Sequence, residues 1–244
     1  DQLLWKGAYP PIYDRRPNES LWYGNYIQTY VERDVRSLLN VSDLGTFQRF
    51  IRLCAARTGQ LVNFSEIGEQ AGVSHNTIKS WISIWEPSCI LFLLKPYHTN
   101  FSKRLVKTPK LYFYDTGLLC WLLSIKNPEQ LNLHPMRGSV FESFVITEIL
   151  KEKFNRGEAN SLYFWRDQNG KEIDLLDDAG LEQVPIEIKS AMTFRSAYCK
   201  QIGKWESISG SRARPVVIYG GNESFVHDGC AIHTWRDLGK RPPF

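Results

Sequence analysis

Apolar and polar residues follow two rhythms along this chain, and the change between them divides it. In the first part the spacing is helical. After Ser20, which reads as an N-cap, Ile27, Val31, Val35 and Leu38 recur at helical intervals. Ser42–Asp43 open a second helix with Leu44, Phe47, Phe50, Ile51 and Cys54 on one face, and Gly59 closes it. Residues 63–86 hold two short helices, Ser65–Ala71 and Asn76–Trp85. Between them, Gly72 can take a positive φ and Ser74 can cap the second of the two. Ile90–Leu94 and Leu111–Tyr114 are strand-like, with the basic stretch Lys103-Arg104-Leu105-Val106-Lys107-Thr108-Pro109-Lys110 between them. A helix-turn-helix followed by a basic two-stranded hairpin predicts a winged helix.

The rhythm changes near residue 130. Asn127–Pro128 and His134–Pro135 punctuate a linker, which predicts one domain over 1–130 and a second over 131–244. Gly138–Phe154 is helical. Three strand-like runs come next, Leu162–Arg166, Glu172–Asp177 and Val184–Lys189, with turns at Asn169–Gly170 and Asp178-Ala179-Gly180. Ser196–Ile208 reads as a helix, and Pro215–Tyr219 and Ala231–Trp235 as strands. The order α-β-β-β-α-β predicts an α/β (α+β) sandwich with a mixed sheet.

Composition narrows the function classes. An apolar share of 43% with 13% aromatics excludes wholesale disorder. The longest apolar runs, such as Cys89–Leu94, are far short of the ~20 residues needed to span a bilayer, so no membrane partner is expected. Five cysteines without a C-x-x-C pair read as reduced, buried thiols of a cytoplasmic protein. No phosphate-binding G-x-x-x-x-G-K-[ST] loop is present. The chain starts at Asp1 amid Leu3, Leu4 and Trp5, and so reads as a piece of a longer protein. The net charge of +4 is unevenly spread: 15 basic and 11 acidic residues in 1–130, 15 and 15 in 131–244.

The chemistry lies in the second part. In Val184-Pro185-Ile186-Glu187-Ile188-Lys189 the period of two puts Glu187 and Lys189 on one face and the isoleucines on the other. If the preceding strand forms a hairpin with it, a turn centred between 180 and 181 sets Asp174 opposite Glu187. A third acid, Glu142, lies beside the helical stripe Val145, Ile146 and Ile149, so it must reach water at an edge or meet a cation. Carboxylate oxygens with open positions suit Mg²⁺, and a nearby lysine can orient or deprotonate a water or neutralise an oxyanion. Three acids and a lysine therefore suit phosphodiester hydrolysis. The bland alternative is the exposed polar face of a hairpin.

Glu142, Asp174 and Glu187-x-Lys189 resemble the PD-(D/E)XK restriction-endonuclease-like superfamily. That resemblance implies metal binding by Asp174 and Glu187, help from Glu142 and a catalytic Lys189. Gln201-x-x-x-Trp205 is similar to a glutamine-x-x-x-tyrosine element of RecB-like members, with Trp in place of Tyr. More specifically, the chain resembles the domain of unknown function 4143 at the C-terminal end of prokaryotic AAA+ ATPase-like proteins. The phrases that carry this are Gly7-Ala8-Tyr9-Pro10, Tyr26-Ile27-Gln28-Thr29-Tyr30, Arg33-Asp34-Val35, Lys107-Thr108-Pro109-Lys110-Leu111-Tyr112, Asp115-Thr116-Gly117-Leu118, Phe141-Glu142 and Glu172-Ile173-Asp174. The resemblance implies an N-terminal AAA+ ATPase domain in the full-length chain.

DNA is the expected partner. His75, Asn76 and Lys79 would reach the groove from the second helix of the pair, and Lys103, Arg104 and Lys107 would touch phosphates. An oligomer is allowed by the sequence. A winged helix can equally bind protein, and a nuclease fold can serve as a non-cleaving accessory module.

Overall fold

The computed structural model describes residues 1–31, 44–97, 106–178 and 182–239. The chain forms two compact units, Asp1–Leu93 with Lys110–Phe144, and Leu94–Pro109 with Val145–Phe244. Contacts group residues 131–144 with the first unit and residues 106–109 of the basic stretch with the second.

The first unit opens with α1 (Gln2–Lys6), α2 (Pro10–Asp14) and α3 (Glu19–Tyr26), the last running into a π-helical turn over Ile27–Val31. Asn18, not Ser20, caps α3, accepting from the Leu21 N–H. The expected continuation through Val35 and Leu38 lies outside the described residues. Helix α4 (Leu44–Ala56) buries Phe47, Phe50, Ile51 and Cys54, as its stripe predicts. The helix pair comes next: α5 (Phe64–Ala71), capped by Asn63, then α6 (His75–Trp85), capped by Ser74. Gly72, at φ 81, makes the left-handed turn between them. The rings of Phe47 and Phe50 meet Trp81 and Trp85 with centroids 5.0–5.4 Å apart, tying α4 to α6. Ser74 Oγ accepts from the Thr77 N–H at 3.1 Å. Ser74→Ala is therefore expected to lower stability by about 1 kcal/mol in urea denaturation, with little change in slope.

Strands β1 (Leu91–Leu94) and β2 (Lys110–Phe113) form a two-stranded sheet. Then come α7 (Thr116–Leu122), α8 (Pro128–Leu133) and the long α9 (Arg137–Asn155). Two of the phrases singled out in the sequence meet here. Asp115 caps α7 by accepting from the Leu118 N–H at 2.7 Å, and its other oxygen accepts from the Ala8 N–H at 2.7 Å. The Tyr23 hydroxyl lies between Lys6 O (2.8 Å) and Asp115 Oδ1 (2.9 Å). A Cβ at Gly7 would overlap the Asp115 carboxylate, and one at Gly117 would overlap the Tyr23 hydroxyl, so both glycines are needed for this close approach. Burial, then the charge of Asp115, push the Tyr23 pKa up, and the phenol stays a donor.

The second unit is built on a six-stranded mixed sheet. In chain order its strands are β3 (Leu162–Arg166), β4 (Glu172–Asp177), β5 (Val184–Lys189), β6 (Val216–Tyr219), β7 (Phe225–His227) and β8 (Cys230–Thr234). The spatial order is β3-β4-β5-β6-β8-β7. Pairing is antiparallel from β3 to β5, parallel across β5, β6 and β8, and antiparallel at β7. The short edge strand β7 is not among the strands that the sequence pattern predicts. Residues 95–97 pair along β3, with the Tyr97 N–H donating to Phe164 O at 2.7 Å and the Phe164 N–H to Lys95 O at 3.1 Å.

The stretch expected as one helix is two, α10 (Ala197–Ile202) and α11 (Trp205–Ser209), interrupted at Gly203–Lys204. Cys199, Ile202 and Trp205 pack with Ile173, Leu176, Val217 and Tyr219 in one core cluster. Trp205 Nε1 donates to Gln183 Oε1 at 2.7 Å, and Gln183 Nε2 to the Tyr97 hydroxyl at 2.6 Å, so these polar atoms of the core are satisfied. From α9, Lys153 Nζ pairs with Asp177 Oδ2 of β4 at 2.7 Å. Four cysteines are buried as expected, but Cys89 is exposed, and none is in a disulfide. Among the described residues no helix is long and apolar enough to cross a membrane.

Candidate active site

Three of the residues singled out in the sequence meet on the sheet of the second unit. The β4–β5 ladder sets Asp177 opposite Val184, Leu176 opposite Pro185 and Leu175 opposite Ile186. One step further in that register come Asp174 and Glu187, as a turn centred between 180 and 181 requires. The other edge of β4 is irregular. Tyr163 faces Leu176 but Trp165 faces Ile173, so two steps of β3 span three of β4, and a β-bulge falls at Asp174–Leu175. The Asp174 carboxylate turns across to β5, where Oδ2 accepts from the Ile188 N–H at 2.9 Å.

Lys189 bridges the two acids. Its Nζ is 2.6 Å from Glu187 Oε1 and 3.4 Å from Asp174 Oδ2. The side chains are 8% (Glu187), 17% (Asp174) and 35% (Lys189) exposed, so the acids are sunk and the cation reaches the surface. Alternation on β5 and β6 puts Glu187 and Lys189 on the face of Val217 and Tyr219, their register partners. That face is covered by the aromatic cluster of α10 and α11 and is not a free polar surface. Burial pulls the Lys189 pKa down, but the charges of Asp174 and Glu187 outweigh it and raise it. With both acids beside it, Lys189 is held in its charged form.

Glu142 is held in the first unit. Its Oε1 accepts from the Tyr112 hydroxyl and pairs with Lys110 Nζ at 3.4 Å. The cation beside this acid is thus Lys110, which is only 4% exposed. Reading Lys110 only as the end of the basic stretch missed this. The signal was available, because Lys110-x-Tyr112 on a strand puts both side chains on one face. Among the described residues, no three His, Cys, Asp or Glu side chains group so as to hold a metal ion.

His75, Asn76 and Lys79 are exposed on α6. Lys107 is exposed and belongs to the second unit, whereas Lys103 and Arg104 lie outside the described residues. The side chain of Gln201 also lies outside them, and Trp205 is core.

Two family models match the chain. The domain of unknown function DUF8612 covers residues 1–129, and the domain of unknown function DUF4143 covers residues 137–236. An uncharacterized protein of Mycobacterium bovis and one of Mycobacterium tuberculosis are each 31% identical over 195 residues, which is 79% of this chain. The match spans 43% of the length of each of these relatives. The chain therefore belongs to the DUF8612 family and carries a DUF4143 region behind it.

Proposed function

We propose that the chain is the DNA-binding C-terminal part of a cytoplasmic AAA+ ATPase-family protein, whose second unit is a PD-(D/E)XK nuclease-like domain hydrolysing phosphodiester bonds with Mg²⁺. The observation that carries this reading is the meeting of Asp174, Glu187 and Lys189 on adjacent strands. Two hard carboxylate oxygens already converge on one cation, the Lys189 ammonium. That donor set fits Mg²⁺ held by Asp174 and Glu187, with other positions open to water and phosphate. Bound there, the ion would supply a water of lowered pKa and countercharge at a phosphoryl oxygen. Lys189, kept charged, would face the negative charge that develops on the phosphate. Glu142 is the assisting acid that the resemblance implies. In the first unit, α5, α6 and the β1–β2 sheet would act as a winged helix. His75, Asn76 and Lys79 would face the DNA groove, and Lys103, Arg104 and Lys107 would contact phosphates.

Plasmid and linear duplex DNA incubated with Mg²⁺ or Mn²⁺ test the catalytic part. Asp174→Ala and Lys189→Ala are each expected to slow cleavage by about 10²–10³-fold. Equal nicking by wild type and both variants, or no cleavage by wild type, would overturn it.

One observation favours a second reading. Lys189 neutralises both acids where they stand, as suits a non-cleaving accessory module of the ATPase. This reading predicts a wild type that does not cleave. It also predicts DNA affinity that survives Asp174→Ala but falls when Lys103, Arg104 and Lys107 are reversed in charge.

A further inference from the structure

The first unit contains a cavity of about 400 Å³ that plays no part in the proposed nuclease. Its walls are aromatic, from Trp5, Tyr23 and Trp121. Two of the three are fixed by hydrogen bonds. Trp5 Nε1 donates to Ile125 O at 3.0 Å, and the Tyr23 hydroxyl is held between Lys6 O and Asp115. The box is therefore preformed, and a ligand entering it would not have to order those walls.

The rim carries charge. The Arg52 guanidinium stands 5.6 Å over the Trp121 ring, and Lys126 lies alongside. The acid in the lining, Glu19, is paired with Lys6 at 2.9 Å. Among the described residues neither Arg52 nor Lys126 has an acidic partner, so two cations are left for a ligand. Ser20 and Ser124 add hydroxyls.

The geometry points to a nucleotide site. The ligand would be a nucleoside monophosphate unit, its base against Trp121 and Trp5 and its phosphate on Arg52 and Lys126. Glu19 and the serine hydroxyls suit the N–H edges of a heteroaromatic base better than a plain aromatic acid. The cavity size is that of a small-ligand pocket. The unit could come from a free nucleotide or from an unpaired position in a strand, because the recognised chemistry is the same. The inference is independent of the Asp174–Glu187–Lys189 reading.

Calorimetric titration of the whole chain tests it, with the four deoxynucleoside 5′-monophosphates, deoxyadenosine, inorganic phosphate and a short single-stranded oligodeoxynucleotide. At least one monophosphate is expected to bind, and deoxyadenosine roughly tenfold more weakly. Arg52→Gln and Trp121→Ala should each weaken binding by roughly tenfold, and Trp121→Phe should restore it. Asp174→Ala should leave it unchanged. An oligonucleotide that binds more tightly than every monophosphate, and is sensitive to Trp121→Ala, would identify a strand as the source; the reverse order would identify a free nucleotide. The proposal is overturned by no heat from any nucleotide or oligonucleotide at millimolar concentration. It is equally overturned by binding that Arg52→Gln leaves unchanged, or by deoxyadenosine binding as well as the monophosphates.

Discussion

Asp177→Ala is expected to destabilise the protein by about 3–5 kcal/mol in denaturant unfolding, the range for breaking one side of a buried ion pair. Lys153 is 3% exposed at its side chain and Asp177 is 6%, and their charged atoms are 2.7 Å apart. Removing the carboxylate leaves the ammonium in the interior with Glu158, 3.4 Å away and itself 39% exposed. Ser161 Oγ, 2.6 Å from Asp177 Oδ1, loses its acceptor as well. The attraction of the intact pair is largely cancelled by the cost of dehydrating it, so the loss comes from the stranded charge. The double change Lys153→Met with Asp177→Leu should therefore recover most of the deficit. A single-site loss below about 1 kcal/mol, the range of surface pairs, would contradict this account.

Asp115→Ala is expected to cost about 3–4 kcal/mol, and hydrogen exchange should locate the damage. This carboxylate is 6% exposed and serves the Leu118 and Ala8 N–H groups and the Tyr23 hydroxyl. Losing the helix cap accounts for about 1 kcal/mol, and the remainder comes from buried donors left without an acceptor. The Ala8 and Leu118 amides should exchange faster while amides of β5 and β6 keep their protection. Asp115→Asn keeps one accepting oxygen and should recover part of the loss. Uniformly faster exchange along the chain would mean that Asp115 acts on global stability and not on this junction.

Local rules made much of this legible beforehand. Gly72 and Ser74 mark the turn and cap of the helix pair because a positive φ and an exposed N-terminus each demand a residue type. The bounds of β3, β4 and β5 follow from alternation and turns, and the turn position fixes which acids stand side by side. Other features depended on tertiary contacts. Period two separates the faces of β5 but cannot tell that helix α10 packs against this strand. The bulge at Asp174–Leu175 depends on how β3 pairs, which β4 alone does not encode. Lys110 looks like the end of a basic run until Glu142 is brought beside it from a helix far along the chain. The Gly7 and Asp115 phrases stand out in the sequence, but their shared purpose is visible only where they touch.

The pairing of residues 95–97 along β3 also constrains how the protein can be made. On the ribosome this edge would wait for partners more than sixty residues downstream while much of the first unit is already out. Nor can the chain be divided at one cut. A piece starting at residue 131 would carry β3 with its outer N–H and C=O groups bare, and the nearest available strand would be the same edge of another copy.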